Sequence, residues 1–291
     1  MQEVTSPDRV VGLVLARTGR VLGLEPFMAD LSQGIEEYFA GRHCSLLIEF
    51  TADLAGEIAV WQRWAANDFV DGLILVDLRS EDPRLAELAG LRVPAVLLGG
   101  PELQVPITTV LVDNAEGARA AVRALADLGH DDIARVSGPR DMTHCKARDE
   151  AFVESCAERG IRGMVVEGDY SEDSGRAATR QLLTGDRIPT AVVYDNDLMA
   201  IGGLAVAREL GVEIPRQLSV IAWDDTAVAR LAHPPLSVVT VDVHGLGTIV
   251  GKAVLAAMDG AGTTTYEVPK PTIRLAGSTA VKNQNALPTN A

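Results

Sequence analysis

The strongest constraint on this chain is a regular alternation of short apolar runs with longer segments of helical periodicity. Residues 10–15 are typical of a buried strand, and residues 27–40 have the spacing of an amphipathic helix that ends at Gly41. The same pattern continues to a strand at residues 109–112. Helical crossovers join parallel strands, so the alternation predicts an α/β fold whose parallel sheet is covered by helices on both faces.

The pattern starts again at residue 114, and a chain of 291 residues exceeds the usual size of one hydrophobic core. After this second set, one more strand–helix–strand unit spans residues 237–275. Its placement indicates a chain that returns to the first lobe and crosses back, which makes a hinge beside a ligand-binding cleft. We expect two doubly wound parallel-sheet lobes joined by a multi-crossover hinge.

The expected boundaries follow from where the pattern restarts and where it returns. The N-terminal lobe comprises residues 8–112 plus 243–266, and the C-terminal lobe comprises residues 113–242 plus 267–280. Residues 281–291 are polar, and we expect them to form a disordered tail.

Charge and composition narrow the range of partners. The 26 Lys and Arg residues are outnumbered by 40 Asp and Glu residues, and only 4% of residues are aromatic. Because nucleic-acid binding needs a basic surface, we expect that this chain does not itself bind DNA. No apolar run reaches the length of a membrane span, and residues 1–9 contain no apolar leader. We therefore expect a cytoplasmic protein without membrane contact.

Two acidic segments follow strands of the predicted C-terminal lobe. Asp195, Asn196 and Asp197 come after one strand, and Asp224 and Asp225 come after the next. Ligands of open parallel sheets meet the carboxyl ends of strands, so both segments lie where a site is expected. Helix N-capping accounts for one residue of each segment, either Asn196 or Asp197 in the first and Asp225 in the second. Asp224 is then left to accept hydrogen bonds from ligand hydroxyls or an amine.

The same acids permit an enzyme hypothesis. Asp-x-Asp with a second acidic pair could hold Mg²⁺ in a haloacid-dehalogenase-like phosphatase, with one Asp as phosphoryl acceptor. Those enzymes carry the first pair after their first strand and follow it with Thr or Val, whereas here the pair lies late and Met199 fills that place. The phosphatase stays a remote alternative. We expect no enzyme, no catalytic residue, no metal and no cofactor.

A basic group marks the helix start that follows the predicted strand at residues 133–137. Arg148 lies there, on a segment that also holds His144, and Tyr170 follows the next strand. A guanidinium fork binds paired hydroxyls or a carboxylate at two points, and a tyrosine offers a ring face to a sugar or base. The alternative for Arg148 is an ordinary exposed arginine.

Two further motifs have structural explanations. Gly245, Gly247 and Gly251 open a helix after a strand, but their spacing is one residue too long for a dinucleotide-binding fingerprint, and close helix–sheet packing accounts for them. Trp61 and Trp64 lie three residues apart on one predicted helix, which indicates packing or subunit contact rather than ligand binding.

Several short segments of the chain occur in an order typical of one protein family. They include Val70-Asp71-Gly72, Val112-Asp113-Asn114, Leu128-Gly129-His130-Asp131-Asp132-Ile133-Ala134, Asn196-Asp197-Leu198-Met199-Ala200-Ile201-Gly202, Ser219-Val220-Ile221-Ala222-Trp223-Asp224-Asp225 and Pro234-Pro235-Leu236. From about residue 10 to 277, the chain resembles the ligand-binding core of LacI-family transcriptional regulators, which is itself similar to periplasmic sugar-binding proteins. The resemblance implies the type I periplasmic binding protein-like fold.

For function, the resemblance implies a sensor. Such regulators are homodimers whose core binds a sugar, nucleobase or nucleoside-like effector between its lobes and passes the state to an N-terminal helix-turn-helix head. The chain begins almost at its first core strand, so we expect DNA binding only through a head that is absent from this chain. A solute-binding protein for sugar transport remains an alternative.

The resemblance also implies the ligand-binding residues. Arg148 is the principal polar clamp, further groups of the C-terminal lobe surround it, and two more lie on the N-terminal lobe. These residues are Arg148, Asp224, Asn196, Tyr170, His144, Phe27 and Thr51.

Overall fold

The structure is a computed structural model, and it describes residues 9–16, 26–100 and 105–283. In these ranges every helix is too short or too polar to traverse a bilayer. The first elements are β1 (Arg9–Ala16), α1 (Pro26–Phe39), β2 (Cys44–Thr51), α2 (Leu54–Ala66), β3 (Gly72–Leu75), α3 (Arg84–Gly90), β4 (Ala95–Gly99) and β5 (Thr108–Leu111). The next are α4 (Asn114–Asp127), β6 (Asp132–Ser137), α5 (Thr143–Glu158), β7 (Arg162–Glu167), α6 (Glu172–Thr184), β8 (Ala191–Tyr194), α7 (Asp197–Glu209), β9 (Ser219–Trp223), α8 (Ala227–Leu231) and β10 (Ser237–Thr240). The last are α9 (Val243–Met258), β11 (Thr265–Glu267) and β12 (Thr272–Arg274).

The first of two compact units comprises Met1–Val112 and Asp242–Pro269. Its six strands are all parallel, in the order β11-β5-β4-β3-β1-β2. Strand β11 was not predicted, because three residues are too few to show the alternation of a strand. Tyr266 of β11 is paired with Val110 of β5. The returning segment of this unit therefore ends at Pro269 and not at residue 266.

The second unit comprises Asp113–Val241 and Lys270–Ala291, with the strand order β12-β10-β9-β8-β6-β7. Five strands are parallel, and β12 is antiparallel to β10. Val192 of β8 belongs to the core cluster formed with α6 and α7, and the adjacent Val193 belongs to the cluster formed with α4 and α5. Successive strand side chains point to opposite faces, so continuous apolar strands create a core on each face. The predicted α/β fold with two doubly wound sheets is confirmed.

Helices α1 and α9 of the first unit lie backbone against backbone. A Cβ atom at Gly34 would lie 2.1 Å from the carbonyl oxygen of His244, and one at Gly247 would lie 2.2 Å from that of Leu31. Gly247 therefore permits a contact between two helices. The predicted helix–sheet contact is wrong in its partner, because α1 covers this face of α9.

Two tryptophans pack inside the first unit. Trp61 and Trp64 of α2 are 1% and 3% exposed, and they share a core cluster with Val14 of β1 and Leu73 of β3. The packing interpretation of this tryptophan pair is confirmed.

Residues 281–283 are anchored to the second unit. The backbone N–H of Lys282 donates to the Leu128 oxygen at 2.8 Å, and its ammonium donates to Asp131 Oδ1 at 2.5 Å. The predicted disordered tail is wrong for these three residues, because the bonds hold them to the end of α4. Residues 284–291 lie outside the described part of the chain.

Candidate functional site

The carboxyl ends of β6, β7, β8 and β9 lie side by side, because these strands are parallel neighbours in the second sheet. Five of the predicted ligand-binding residues follow these ends. They are His144 and Arg148 in α5, Tyr170 after β7, Asn196 after β8 and Asp224 after β9. The second unit therefore brings these five residues to one edge of its sheet.

Arg148 is buried and held from several sides. Its Nε donates to Asn114 Oδ1 at 2.9 Å, and its guanidinium carbon lies 3.7 Å from the centre of the Trp223 ring. Burial acts to lower the pKa of Arg148, but the surrounding negative groups, Asp195 foremost, outweigh burial and raise it. With 9% of its surface exposed, Arg148 is not the exposed arginine of the alternative interpretation. It is a fixed, permanently charged donor.

Asp195 is the carboxylate that faces Arg148. Its carboxylate accepts from Arg135 Nη2 at 2.6 Å and from the Gly138 N–H at 3.0 Å, and its Oδ1 lies 3.7 Å from Arg148 Nη1. Burial acts to raise the pKa of Asp195, but Arg135 and Arg148 outweigh burial and lower it. Arg135 also forms an ion pair with Asp149 of α5. Two arginines and two aspartates thus form one connected network.

Tyr170 has its hydroxyl group engaged inside the unit. The hydroxyl oxygen lies 2.6 Å from His144 Nε2 and 2.9 Å from Cys145 Sγ, and the ring stacks on His144. A Cβ atom at Gly138 would lie 2.3 Å from Tyr170 Cζ, so the ring needs a glycine beneath it. Burial raises the pKa of Tyr170 well above its usual value, so the hydroxyl keeps its proton.

Asn196 connects two loops of the site. Its Oδ1 accepts from the Met199 N–H at 2.9 Å, and its Nδ2 donates to the Tyr170 oxygen at 2.8 Å. It is the N-cap of α7, as one of the two capping alternatives predicted. The amide therefore fixes the loop after β7 against the start of α7.

Asp224 is held in an uncommon backbone conformation at the end of β9. Its φ is 71°, a left-handed value that few residues other than glycine adopt, and it is 8% exposed. Its backbone N–H donates to the Val239 oxygen at 3.0 Å. After Asp195, it is one of the groups whose negative charge raises the pKa of Arg148. Strained backbone of this kind is found at binding and catalytic sites.

The other two predicted residues belong to the first unit. Phe27 is the second residue of α1 and is half-buried, and Thr51 ends β2, where its hydroxyl donates to the Asp53 oxygen at 3.2 Å. Thr51 is paired with Ala16 at the end of β1, so it lies at the carboxyl edge of the first sheet.

The sequence and the fold match proteins of one kind. A periplasmic binding protein-like domain matches residues 122–279. The HTH-type transcriptional regulator CelR of Thermobifida fusca is 32% identical over 265 residues, which cover 88% of this chain and 77% of that protein. The crystal structure of a LacI family transcriptional regulator from Bifidobacterium animalis subsp. lactis has a TM-score of 0.86 and 33% identity, covering 94% of this chain and 99% of that one. The chain belongs to the LacI family of transcriptional regulators.

As a LacI-family chain, it contains the effector-sensing core of a transcriptional regulator, and the predicted family and general function are confirmed. A solved complex of the transcriptional regulator CelR with cellobiose has a TM-score of 0.83 and 28% identity. That match covers 94% of this chain and 86% of the CelR chain. The relatives with these matches are transcriptional regulators rather than enzymes.

The predicted cap of α8 in this LacI-family chain is wrong. Thr226 is the N-cap, and its Oγ1 accepts from the Ala229 N–H at 3.2 Å. Asp225 instead accepts from Arg230 Nε at 3.0 Å and from Arg274 Nη2 at 2.7 Å. Thr226 directly precedes the helix and so has the cap geometry, whereas Asp225 lies one residue too early.

The remaining acids of the two segments also have protein partners. Asp197 accepts a hydrogen bond from the Thr226 hydroxyl, and the Asp195 carboxylate is held by Arg135. Within the described ranges, no group of three His, Cys, Asp or Glu side chains is arranged to hold a metal ion. Asp195 and Asp225 of this regulator therefore serve as ion-pair partners, and Asp197 as a hydrogen-bond acceptor.

Sequence reasoning missed Arg135 and the supporting role of Asp195. A signal was present, because an arginine inside an apolar strand requires a buried counter-charge. The partner could not be chosen from the sequence, since Asp195 follows Arg135 by 60 residues. Asn114, Cys145 and Trp223 were missed as well, and only their contacts with Arg148 and Tyr170 reveal them.

Proposed function

We propose that this regulator senses a saccharide effector, with Arg148 and Asp224 as its main polar contacts. The observation that carries the proposal is the placement of Arg148, a buried guanidinium stacked on Trp223 at the carboxyl ends of parallel strands. A guanidinium offers donors and a carboxylate offers acceptors, which together match the hydroxyl groups of a sugar. The further ligand-binding residues of the proposal are Asn196, Tyr170, His144, Phe27 and Thr51.

The similar CelR regulator, solved with cellobiose, supports a saccharide over a nucleoside-like effector. We infer that the effector favours one conformation of the core, because a ligand shifts a conformational equilibrium only by binding one state more tightly. The change of conformation would be transmitted to a second copy in a homodimer and to an N-terminal DNA-binding head. Such a regulator would act in the cytoplasm, where the chromosome lies. Sedimentation velocity of the chain measures the proposed dimer.

The test of the effector site is the Arg148→Ala variant, titrated calorimetrically with cellobiose and a panel of other neutral saccharides and nucleosides. Removing a buried hydrogen-bonding charge weakens binding by about 30-fold or more. Arg180→Ala is the matched control. It removes one positive charge as Arg148→Ala does, but Arg180 lies on the surface of the same unit, where it pairs with Glu209. Circular dichroism checks that both variants fold. An affinity unchanged by Arg148→Ala contradicts the assignment.

We also propose that the chain is not an enzyme. The carboxylates that a Mg²⁺-dependent phosphatase would use at Asp195 and Asp225 are engaged by Arg135 and by Arg230 and Arg274. Phosphate release from a broad panel of phosphate esters with Mg²⁺, abolished by Asp195→Asn, would establish the enzyme alternative instead.

A further inference from the structure

A chain of buried charges lies behind Arg148, and the effector proposal does not require it. Arg135 is 0% exposed in the middle of β6; its Nη2 donates to both Asp195 oxygens at 2.6 Å, and it also pairs with Asp149. Apolar side chains in place of a buried ion pair are often neutral or stabilising, so stability alone does not explain the pair. Its position beside Arg148 points to a role in the site.

Asp195 compensates the charge of Arg148 without occupying its donors. The 3.7 Å between Asp195 Oδ1 and Arg148 Nη1 is within ion-pair reach but longer than a hydrogen bond. The orientation of the guanidinium is set elsewhere, by the bond from Nε to Asn114 and by the ring of Trp223. Arg148 is thus an oriented donor whose positive field is largely cancelled.

The five charged groups on and around Arg148 sum to a negative value, because two of them are guanidinium groups and three are carboxylates. Ion pairs connect Arg135, Arg148, Asp149 and Asp195, and the negative charge of Asp224 acts on Arg148. The next ion pair outward joins Arg140 and Glu167 at 3.8 Å and adds no net charge. An anionic ligand group would meet this excess negative charge in a poorly hydrated place, where charge interactions are strong.

We propose that the Arg135–Asp195 pair is a specificity determinant, which makes Arg148 a donor to neutral saccharide hydroxyls and excludes saccharides that carry a carboxylate or phosphate. The proposal rests on the effector site at Arg148 proposed above. An uncompensated buried arginine would favour such anions, because charge-assisted bonds to carboxylates and phosphates are the stronger ones. Asp195 acts on the saccharide only through the charge of Arg148.

The test compares two disaccharides that differ in one group. Cellobiouronic acid is cellobiose with one hydroxymethyl group oxidised to a carboxylate. In calorimetric titrations of the full chain, we expect wild type to bind cellobiose at least about 10-fold more tightly than cellobiouronic acid. Asp195→Asn keeps the side-chain shape and removes the charge, so the preference falls to about one or inverts. Asp195→Glu keeps the charge and retains the preference.

Glu150→Gln is the charge-matched control. Glu150 lies on the same helix as Arg148 with 62% of its side chain exposed, so its loss leaves the preference unchanged. A ratio of two affinities separates the proposed role from a structural one, because a loosened fold weakens both disaccharides alike.

Two outcomes overturn the inference and leave the effector site intact. In the first, wild type binds the two disaccharides equally. In the second, Asp195→Asn prefers cellobiose over cellobiouronic acid as strongly as wild type does. Binding of neither disaccharide removes the saccharide assignment and this inference together.

A second variant covers the case in which Asp195→Asn does not fold. Arg135→Met combined with Asp195→Asn removes both charges and leaves the net charge unchanged. The double variant takes away the counter-charge 3.7 Å from Arg148 Nη1, whereas Asp149 and Asp224 keep theirs, so the preference for cellobiose is expected to fall but not to invert. A retained wild-type preference in this variant also overturns the inference.

Discussion

At the scale of single residues, Arg84 of the first unit is shared unequally by two buried carboxylates. Asp82 accepts from Nε at 3.0 Å and from Nη2 at 2.7 Å, whereas Glu57 accepts from Nη1 alone at 3.0 Å. Burial raises the pKa of Glu57 to about 7 even with Arg84 beside it. The pKa of Asp82 is lowered, because its bonds to Arg84 and to the Arg79 N–H outweigh its burial. Glu57 is therefore the member that titrates near neutrality.

This arrangement predicts a pH-dependent stability. The folded chain holds the Glu57 proton up to about pH 7, whereas the unfolded chain releases it near 4.5. The contribution of Glu57 to the free energy of unfolding is thus complete below pH 4.5 and is lost as the pH rises to about 7, a change of about 3 kcal/mol. Urea unfolding of wild type and Glu57→Gln between pH 5 and 8 measures it.

Residue 57 cannot titrate in the Glu57→Gln variant. The free energy of unfolding of the variant therefore lacks the part of the pH dependence that comes from Glu57. Other titrating groups contribute equally to both proteins and cancel in the difference. Parallel pH profiles for the two proteins would contradict the assignment.

At the scale of elements, one helix pair in each unit packs backbone against backbone. In α1 and α9 the close approach is at Gly34 and Gly247. In α6 and α7 a Cβ atom at Gly175 would lie 2.5 Å from Met199 Cα, and one at Gly202 would lie 2.3 Å from the Glu172 oxygen. Hydrogen in place of a side chain is what allows these helix axes to approach.

We expect Gly34→Ala to destabilise the protein by about 1–3 kcal/mol, because the new methyl group meets the His244 backbone. The matched control is Gly90→Ala at the end of α3, where a Cβ atom has no neighbour within 4 Å. There the higher helix propensity of alanine makes the change neutral or slightly stabilising. Thermal and urea unfolding measure both, and equal effects would argue against the tight helix crossing.

At the scale of the whole molecule, the first unit is assembled from two separate segments of the chain. Residues 1–112 supply β1 to β5, and residues 242–269 supply α9 and β11. Helix α9 closes on α1, and β11 extends the sheet beside β5. Folding of this unit therefore depends on a segment that follows residues 113–241 of the second unit in sequence.

A fragment of residues 1–112 is expected not to fold, because it lacks α9, which packs on α1 at Gly34 and Gly247, and β11, which pairs with β5. The control joins residues 1–112 to residues 242–269 through a flexible Gly-Ser linker, and it should recover helix and cooperative unfolding. Circular dichroism during urea titration distinguishes the two proteins. Cooperative unfolding of the short fragment would show that α9 is dispensable.

The elements differ in how far they could be predicted. Strands such as β1 and β8 are apolar runs bounded by polar residues, so local pattern identifies them. Strand β11 has two exposed residues of three, and only its pairing with β5 makes it a strand. The direction of β12 and the anchoring of Lys282 are likewise set by distant partners.

The same distinction holds for the candidate site. The sequence alone determined the α/β class and two sheets, and it placed Arg148, Asn196 and Asp224 after strands, because apolar periodicity and strand ends are local properties. The tertiary structure decided which charged residues surround Arg148. Asp195 reaches Arg135 and Arg148 only because β6 and β8 are adjacent and in register, with Arg135 opposite Val193. An ion pair between residues 60 apart depends on that register, and no local pattern encodes it.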